Sequence, residues 1–238
     1  MYKYLRTNTP RETMEFTGFP FPGNTTSYPS GECFYRYLKS FAKEFNLLKY
    51  IKIRSVVTSV KRSEEHWNLT YFRTDTNTSH SEACGFVIVC NGHTYSRPNW
   101  PYFKGQEYFK GRMIHSHDYK EPEPYQGKRV LVVGAGPSGM DLATTLTSFA
   151  ARVVHSHHRT FNDKNYPVNY VKKPDVHSFT QYGVIFIDGS YEKIDDVVFC
   201  SGYLQDHPFI DSSAGLIMKP TYRMPLYQHI VNVFHPTM

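Results

Sequence analysis

Three glycines, Gly134, Gly136 and Gly139, stand in G-x-G-x-x-G spacing within RVLVVGAGPSGMDLA, residues 129–143. The spacing alone is a weak signal, and its flanks give it chemical meaning. Val130 to Val133 form an apolar run that reads as a buried strand, and Met140 to Phe149 read as a helix with few breakers. Strand, glycine turn and helix in that order form a binding site for the pyrophosphate of a dinucleotide. Gly134 gives the tight turn, Gly136 lets the backbone approach the pyrophosphate, and Gly139 lets the helix pack closely on the strand. The N–H groups at the helix start then face the phosphates. Ser138 is placed to cap that helix. The expected cofactor-binding residues here are Gly134, Gly136, Pro137, Ser138 and Gly139.

Arg152 to Ser156 read as the next strand of the βαβ unit, and its end selects the cofactor. An acid about 20 residues beyond the glycine turn would bind a ribose 2′-hydroxyl and favour NAD. This chain has His155-Ser156-His157-His158-Arg159 instead. A cationic, hydroxyl-bearing loop suits a 2′-phosphate, so the cofactor is read as NADP, with Arg159 the first choice for that phosphate and Ser156 the second. The twelve histidines form no H-x-x-x-H pattern and no cluster with acids, so no metal site is read.

Composition narrows the field further. The chain has 238 residues, 40% of them hydrophobic, with a formal charge of +6. That is enough apolar material for a core, and no block of five Lys or Arg points to nucleic acid. The four cysteines form no C-x-x-C pair, which argues against a dithiol redox centre. Cys90 and Cys200 each end an apolar run and are expected to be buried thiols. No apolar run approaches the roughly 18 residues of a membrane span, and the N-terminal residues lack the apolar core of a signal peptide.

The elements that must position the glycine turn read as follows. Residues 1–30 are rich in turn formers and show no periodicity. Gly31 to Leu48 carry apolar residues at helical spacing. Ile51 to Val60 and Trp67 to Arg73 read as strands, DTNTSHSEA as a polar turn, and Phe86 to Cys90 as a short buried strand ending in Asn91-Gly92. Together these predict a β-meander. Residues 97–128 read as a Pro-rich connector outside the core. Val184 to Ile187 lead into a hairpin, and Val197 to Cys200 into a closing strand.

The connector also carries Phe109, Gly111, His115 and Tyr119, which fit F-x-G-x-x-x-H-x-x-x-[YF]. This resembles the fingerprint of the flavin-containing monooxygenases, with the glycine-rich turn following closely. LRTNTPRETM followed by FPFP resembles the family's flavin-facing segment, in which Asn8 holds the place of the Asn. CNGHTYSRP, with Asn91 and Gly92, resembles a strand-to-glycine linker between domains. FCSGY resembles a second linker, although Cys200 and Ser201 stand where Ala and Thr are usual. PLYQHIVNVFHPTM resembles a segment of the returning flavin domain. Insect-type members are the nearest in pattern.

The resemblance implies an α/β fold: a Rossmann-like three-layer NADPH-binding domain inserted in a partial FAD-binding domain. The implied boundaries are 1–125 for the partial FAD domain with meander and connector, 126–203 for the NADPH domain, and 204–238 for the return to the FAD domain. It also implies an N,N-dialkylaniline-type monooxygenase using NADPH, FAD and O2. Such an enzyme oxygenates small amines or sulfides, among them xenobiotics and alkaloids, through a C4a-hydroperoxyflavin. Asn8 would hydrogen-bond near flavin and substrate, while His115 and Tyr119 would shape the connector.

Two other readings stay open: a non-catalytic NADPH-binding chain, and a flavin-dependent NADPH reductase that oxygenates nothing. The family's own FAD-binding βαβ unit, with its G-x-G-x-x-G, has no counterpart in the sequence, nor does its C-terminal part. The expectation is therefore an internal piece of a longer enzyme that does not retain FAD by itself. Membrane attachment is not encoded in these residues, and the compartment is expected to be cytoplasmic or endoplasmic-reticulum-associated.

Overall fold

A computed structural model describes residues 1–92, 97–160, 166–205, 207–219 and 222–238. The chain divides into two compact units, Met1–Lys49 with Trp100–Ser201, and Tyr50–Asn99 with Gly202–Met238. Among the described residues no helix is long and apolar enough to cross a membrane.

In the first unit the irregular N-terminal segment lies against helix α1 (Gly31–Glu44). Ser30 caps this helix by accepting from the Cys33 amide at 3.2 Å. Tyr37, at its buried face, accepts from the Phe16 amide at 2.8 Å and donates to the Phe19 carbonyl at 2.7 Å. Its ring stacks on Phe21 with centroids 3.9 Å apart. One tyrosine thus pins a segment that has no ladder of its own. The helix ends four residues earlier than the apolar spacing implies, because Asn46 takes a left-handed conformation (φ 50°).

The second unit opens with a meander of β1 (Ser55–Arg62), β2 (Trp67–Arg73) and β3 (Thr78–Cys84). Part of the predicted polar turn, DTNTSHSEA, is therefore strand: Thr78 to Cys84 pair with the whole of β2. Its polarity reflects an edge strand with exposed faces rather than a turn. The predicted buried strand at Phe86–Cys90 is not found. These residues join no ladder, Phe86 and Ile88 are 76% and 88% exposed, and Cys90 is exposed. Apolar β-branched residues make a strand only where an edge offers hydrogen bonds, and among the described residues this stretch makes one such bond, from the Val87 amide to the Thr237 carbonyl. The short β4 (Arg97–Pro98) pairs with Tyr203–Leu204 in the same unit.

The glycine turn belongs to a five-stranded, all-parallel sheet in the first unit. Its strands are β5 (Arg112–His115), β6 (Arg129–Val133), β7 (Arg152–Ser156), β8 (Tyr170–Lys173) and β12 (Asp196–Phe199), in the order β5-β12-β6-β7-β8. Helix α2 (Pro137–Leu146) covers one face. An antiparallel sheet of β9 (Val176–Thr180), β10 (Gly183–Phe186) and β11 (Tyr191–Lys193) accompanies it.

The alternation along β6 separates two cores. Val130 and Val132 pack with Leu142, Ala143 and Leu146 of α2, whereas Leu131 packs with Val176, Phe179, Val184 and Phe186 of β9 and β10. Burial on both faces explains the unbroken apolar run.

The connector is part of this core, contrary to the sequence expectation. β5 pairs in register with β12, Asp196 opposite Arg112 and Phe199 opposite His115. Phe109, His115, Tyr119 and Tyr125 are all buried. A four-residue strand whose partner lies some 80 positions later leaves no local pattern to read.

The fingerprint glycine has a steric reason. A Cβ on Gly111 would overlap the Asp195 carbonyl oxygen and stand 2.5 Å from the Phe109 ring. Gly111→Ala is expected to lower stability by about 1–3 kcal/mol, read as a drop in the urea midpoint. An unchanged midpoint would remove this account of the fingerprint.

Candidate functional site

At the C-terminal end of β6, Gly134 turns the chain with φ 103°. Its amide donates to the Ser156 carbonyl at 2.9 Å, and a Cβ there would stand 2.6 Å from the Cys200 carbonyl oxygen. A Cβ on Gly139 would overlap the Gly134 carbonyl oxygen. The first turn of α2 can therefore sit on the turn only if position 139 is glycine. Gly136 is different: its backbone is ordinary (φ −74°, ψ −177°), and a Cβ there would meet nothing within 4 Å.

Gly136, not Ser138, is the N-cap of α2, and no side chain caps the helix. The helix begins at Pro137 because a fixed φ suits its first position, and it ends at Leu146, three residues short of the predicted Phe149. Ser138 lies in the first turn instead. The Ser138 and Gly139 amides have no intrahelical acceptor, and the space beside Gly136 is open. Donors and room together fit a pyrophosphate.

The loop after β7 divides by burial. Ser156 is buried, and its hydroxyl donates to the Pro174 carbonyl at 2.8 Å. His158 and Arg159 are exposed. His158 Nδ1 lies 3.2 Å from the Asp175 carboxylate, and Lys172 donates to the Arg159 carbonyl at 2.8 Å. Sequence reading missed Lys172 and Asp175. They arrive through the parallel register of β8, where Lys172 stands opposite His155, and that pairing leaves no mark in local spacing.

The fingerprint side chains build the scaffold beside this edge. Phe109 meets Phe179 edge-on at 5.5 Å. His115 Nδ1 accepts from the His117 amide at 3.1 Å, and its carbonyl accepts from the Asp118 amide at 2.9 Å, so the residue closes the turn after β5. The Tyr119 ring lies between Tyr2 (5.5 Å) and Tyr125 (5.8 Å). Burial pushes the Tyr119 phenol above its ordinary pKa, and its hydroxyl has no hydrogen-bond partner among the described residues. Tyr2 donates to the Asp141 carboxylate on α2. Burial, then that carboxylate, pushes the Tyr2 phenol up as well.

Cys200, at the end of β12, is buried, and burial pushes its thiol up to about 12. Asn8 is exposed in the irregular segment of this same unit, between Thr7, whose amide donates to Pro29, and Arg11, which donates to Pro22. Asn91 and Gly92 are exposed and belong to the other unit, Gly92 with φ 76°. The fold thus brings together Gly134–Gly139, Ser156 and Arg159 at one sheet edge, with the four fingerprint residues packed in the same unit.

Comparison with known proteins gives the family. A family model described as flavin-binding monooxygenase-like matches residues 1–171 and 166–237. The chain belongs to that family. Senecionine N-oxygenase of Tyria jacobaeae is 46% identical over 243 residues, covering 100% of this chain and 53% of that protein. The crystal structure of Tmm from Pelagibacter superposes with a TM-score of 0.91 at 26% identity, covering 100% of this chain and 55% of that one. S-allyl-L-cysteine S-oxygenase from Allium sativum gives 0.84 at 27%, covering 96% and 54%. The fold is that of a flavoprotein with two dinucleotide-binding domains. The chain spans about half the length of the curated relatives it matches.

Two substitutions separate the roles of the glycines. Gly136→Ala should leave the thermal midpoint nearly unchanged, within about 0.5 kcal/mol, whereas Gly139→Ala should cost at least about 2 kcal/mol. Equal losses would contradict the steric difference. Tyr119→Phe removes an unpartnered hydroxyl and should be neutral or stabilising by up to about 1 kcal/mol. A clear loss of stability would mean the hydroxyl has a partner.

Proposed function

We propose that this chain carries the NADPH site of a monooxygenase that places one atom of O2 on the nitrogen or sulfur of a small amine or sulfide. The observation that carries this reading is the glycine turn: free helix amides, open space at Gly136, and an exposed cationic loop at one sheet edge. Two relatives whose names record N-oxygenation and S-oxygenation support the reaction class.

The α2 amides and Gly136 hold the pyrophosphate. Arg159 holds the 2′-phosphate, with Lys172 adding positive charge beside it. Ser156, whose hydroxyl is turned to Pro174, acts as a support for that loop. Residues 126–203 are assigned to NADPH, and residues 1–125 and 204–238 to the flavin side. Asn8 is assigned a hydrogen bond near flavin and substrate, and Asn91-Gly92 the crossing between domains. FAD, when bound, supplies electron transfer and oxygen activation; the chain's own residues bind, orient and exclude water.

Titration of the purified chain with NADPH and NADH tests the assignment. Arg159→Ala should weaken NADPH about tenfold, the worth of a charge-assisted contact, and leave NADH nearly unchanged. Equal weakening of both would defeat the 2′-phosphate role. Conversion of a tertiary amine to its N-oxide by the flavin-loaded enzyme separates oxygenation from NADPH oxidation alone.

A further inference from the structure

His155 lies directly beneath the glycine turn and is fully buried. Its Nε2 is 2.9 Å from the Gly134 carbonyl oxygen, and its Nδ1 is 2.9 Å from the Tyr170 hydroxyl. A carbonyl can only accept, so Nε2 carries the hydrogen. In the neutral ring Nδ1 then accepts from Tyr170. The Tyr170 ring is itself held by stacking on Tyr166, with centroids 4.0 Å apart. The His157 ring meets that of His155 edge-on at 4.5 Å.

Gly134 is therefore held at both of its backbone polar groups, one in each flanking peptide, by the end of β7. Its amide donates to the Ser156 carbonyl, and its carbonyl accepts from the His155 side chain. That same carbonyl oxygen is the atom against which Gly139 packs. If it rotated, the first turn of α2 would have to move with it.

We propose that His155, as the Nε2–H tautomer, is a positioning residue that sets the Gly134 carbonyl and through it the aim of the α2 amides at a dinucleotide. The proposal rests on the nucleotide reading above. Nothing in G-x-G-x-x-G spacing requires a histidine there. A side chain that donates from the same place should replace it, and glutamine, whose Nε2 reaches about as far, is the conservative substitute.

Two measurements on the full 238-residue chain test this. A multiple-bond ¹H–¹⁵N spectrum of the nucleotide-free protein should show His155 protonated at Nε2 and bare at Nδ1. The reverse pattern overturns the proposal without any nucleotide. Calorimetric titration with NADP⁺ should then give His155→Gln an affinity within about threefold of wild type and His155→Leu an affinity roughly tenfold weaker. Leu binding as well as wild type, or Gln failing as badly as Leu with circular dichroism unchanged, overturns it. A wild-type chain that shows the Nε2–H signal but has no NADP⁺ affinity overturns the nucleotide reading, and with it the affinity role, while the tautomer assignment stands.

Discussion

The Gly134 carbonyl oxygen is packed so tightly against position 139 that no side chain fits between them. From that one close approach follow the seating of the first turn of α2 and the choice of glycine at 139, while Gly134 is held to glycine by its φ of 103° and by the Cys200 carbonyl. The parallel sheet exists, in effect, to hold this peptide still. β6 delivers it, β7 binds it through Ser156 and His155, and the end of β12 closes over it at Cys200. Because both faces of the sheet are buried, by α2 on one side and by the β9–β11 strands on the other, the strand ends have little freedom to drift.

What was legible in the sequence was whatever is encoded locally. The run Val130–Val133, the glycine spacing and β7 were readable because each is contiguous and each has a physical signature. The family fingerprint was readable as a pattern but not as a structure. Phe109, Gly111, His115 and Tyr119 looked like loop residues, since their partners lie far along the chain. β5 becomes a strand only when β12 is beside it. The reverse error occurred at Phe86–Cys90, where strong β propensity pairs with no strand among the described residues. β3 shows the same principle from the other side, because polar residues form a full ladder when β2 supplies the partner. Propensity proposes a strand and pairing decides it.

The candidate site was legible to a similar depth. Glycines and a basic loop announced a dinucleotide, and burial then separated the loop into residues that face solvent, Arg159 and His158, and residues that serve the fold, Ser156 and His155. No spacing rule distinguishes these classes. The distinction depends on where β8 lies, and β8 also brings Lys172 and Asp175 to the loop.

Cys200 and Cys90 end two apolar runs of similar appearance and meet opposite chemical fates. Oxidation of a cysteine proceeds through the thiolate and needs access. The Cys200 thiol is sealed in the core and held protonated far above neutral pH, so it stays reduced where a more exposed thiol would be consumed. Cys90 stands in solvent. Of these two thiols, oxidation therefore favours the exposed one of the second unit, and the strand end that closes over the glycine turn is the one spared.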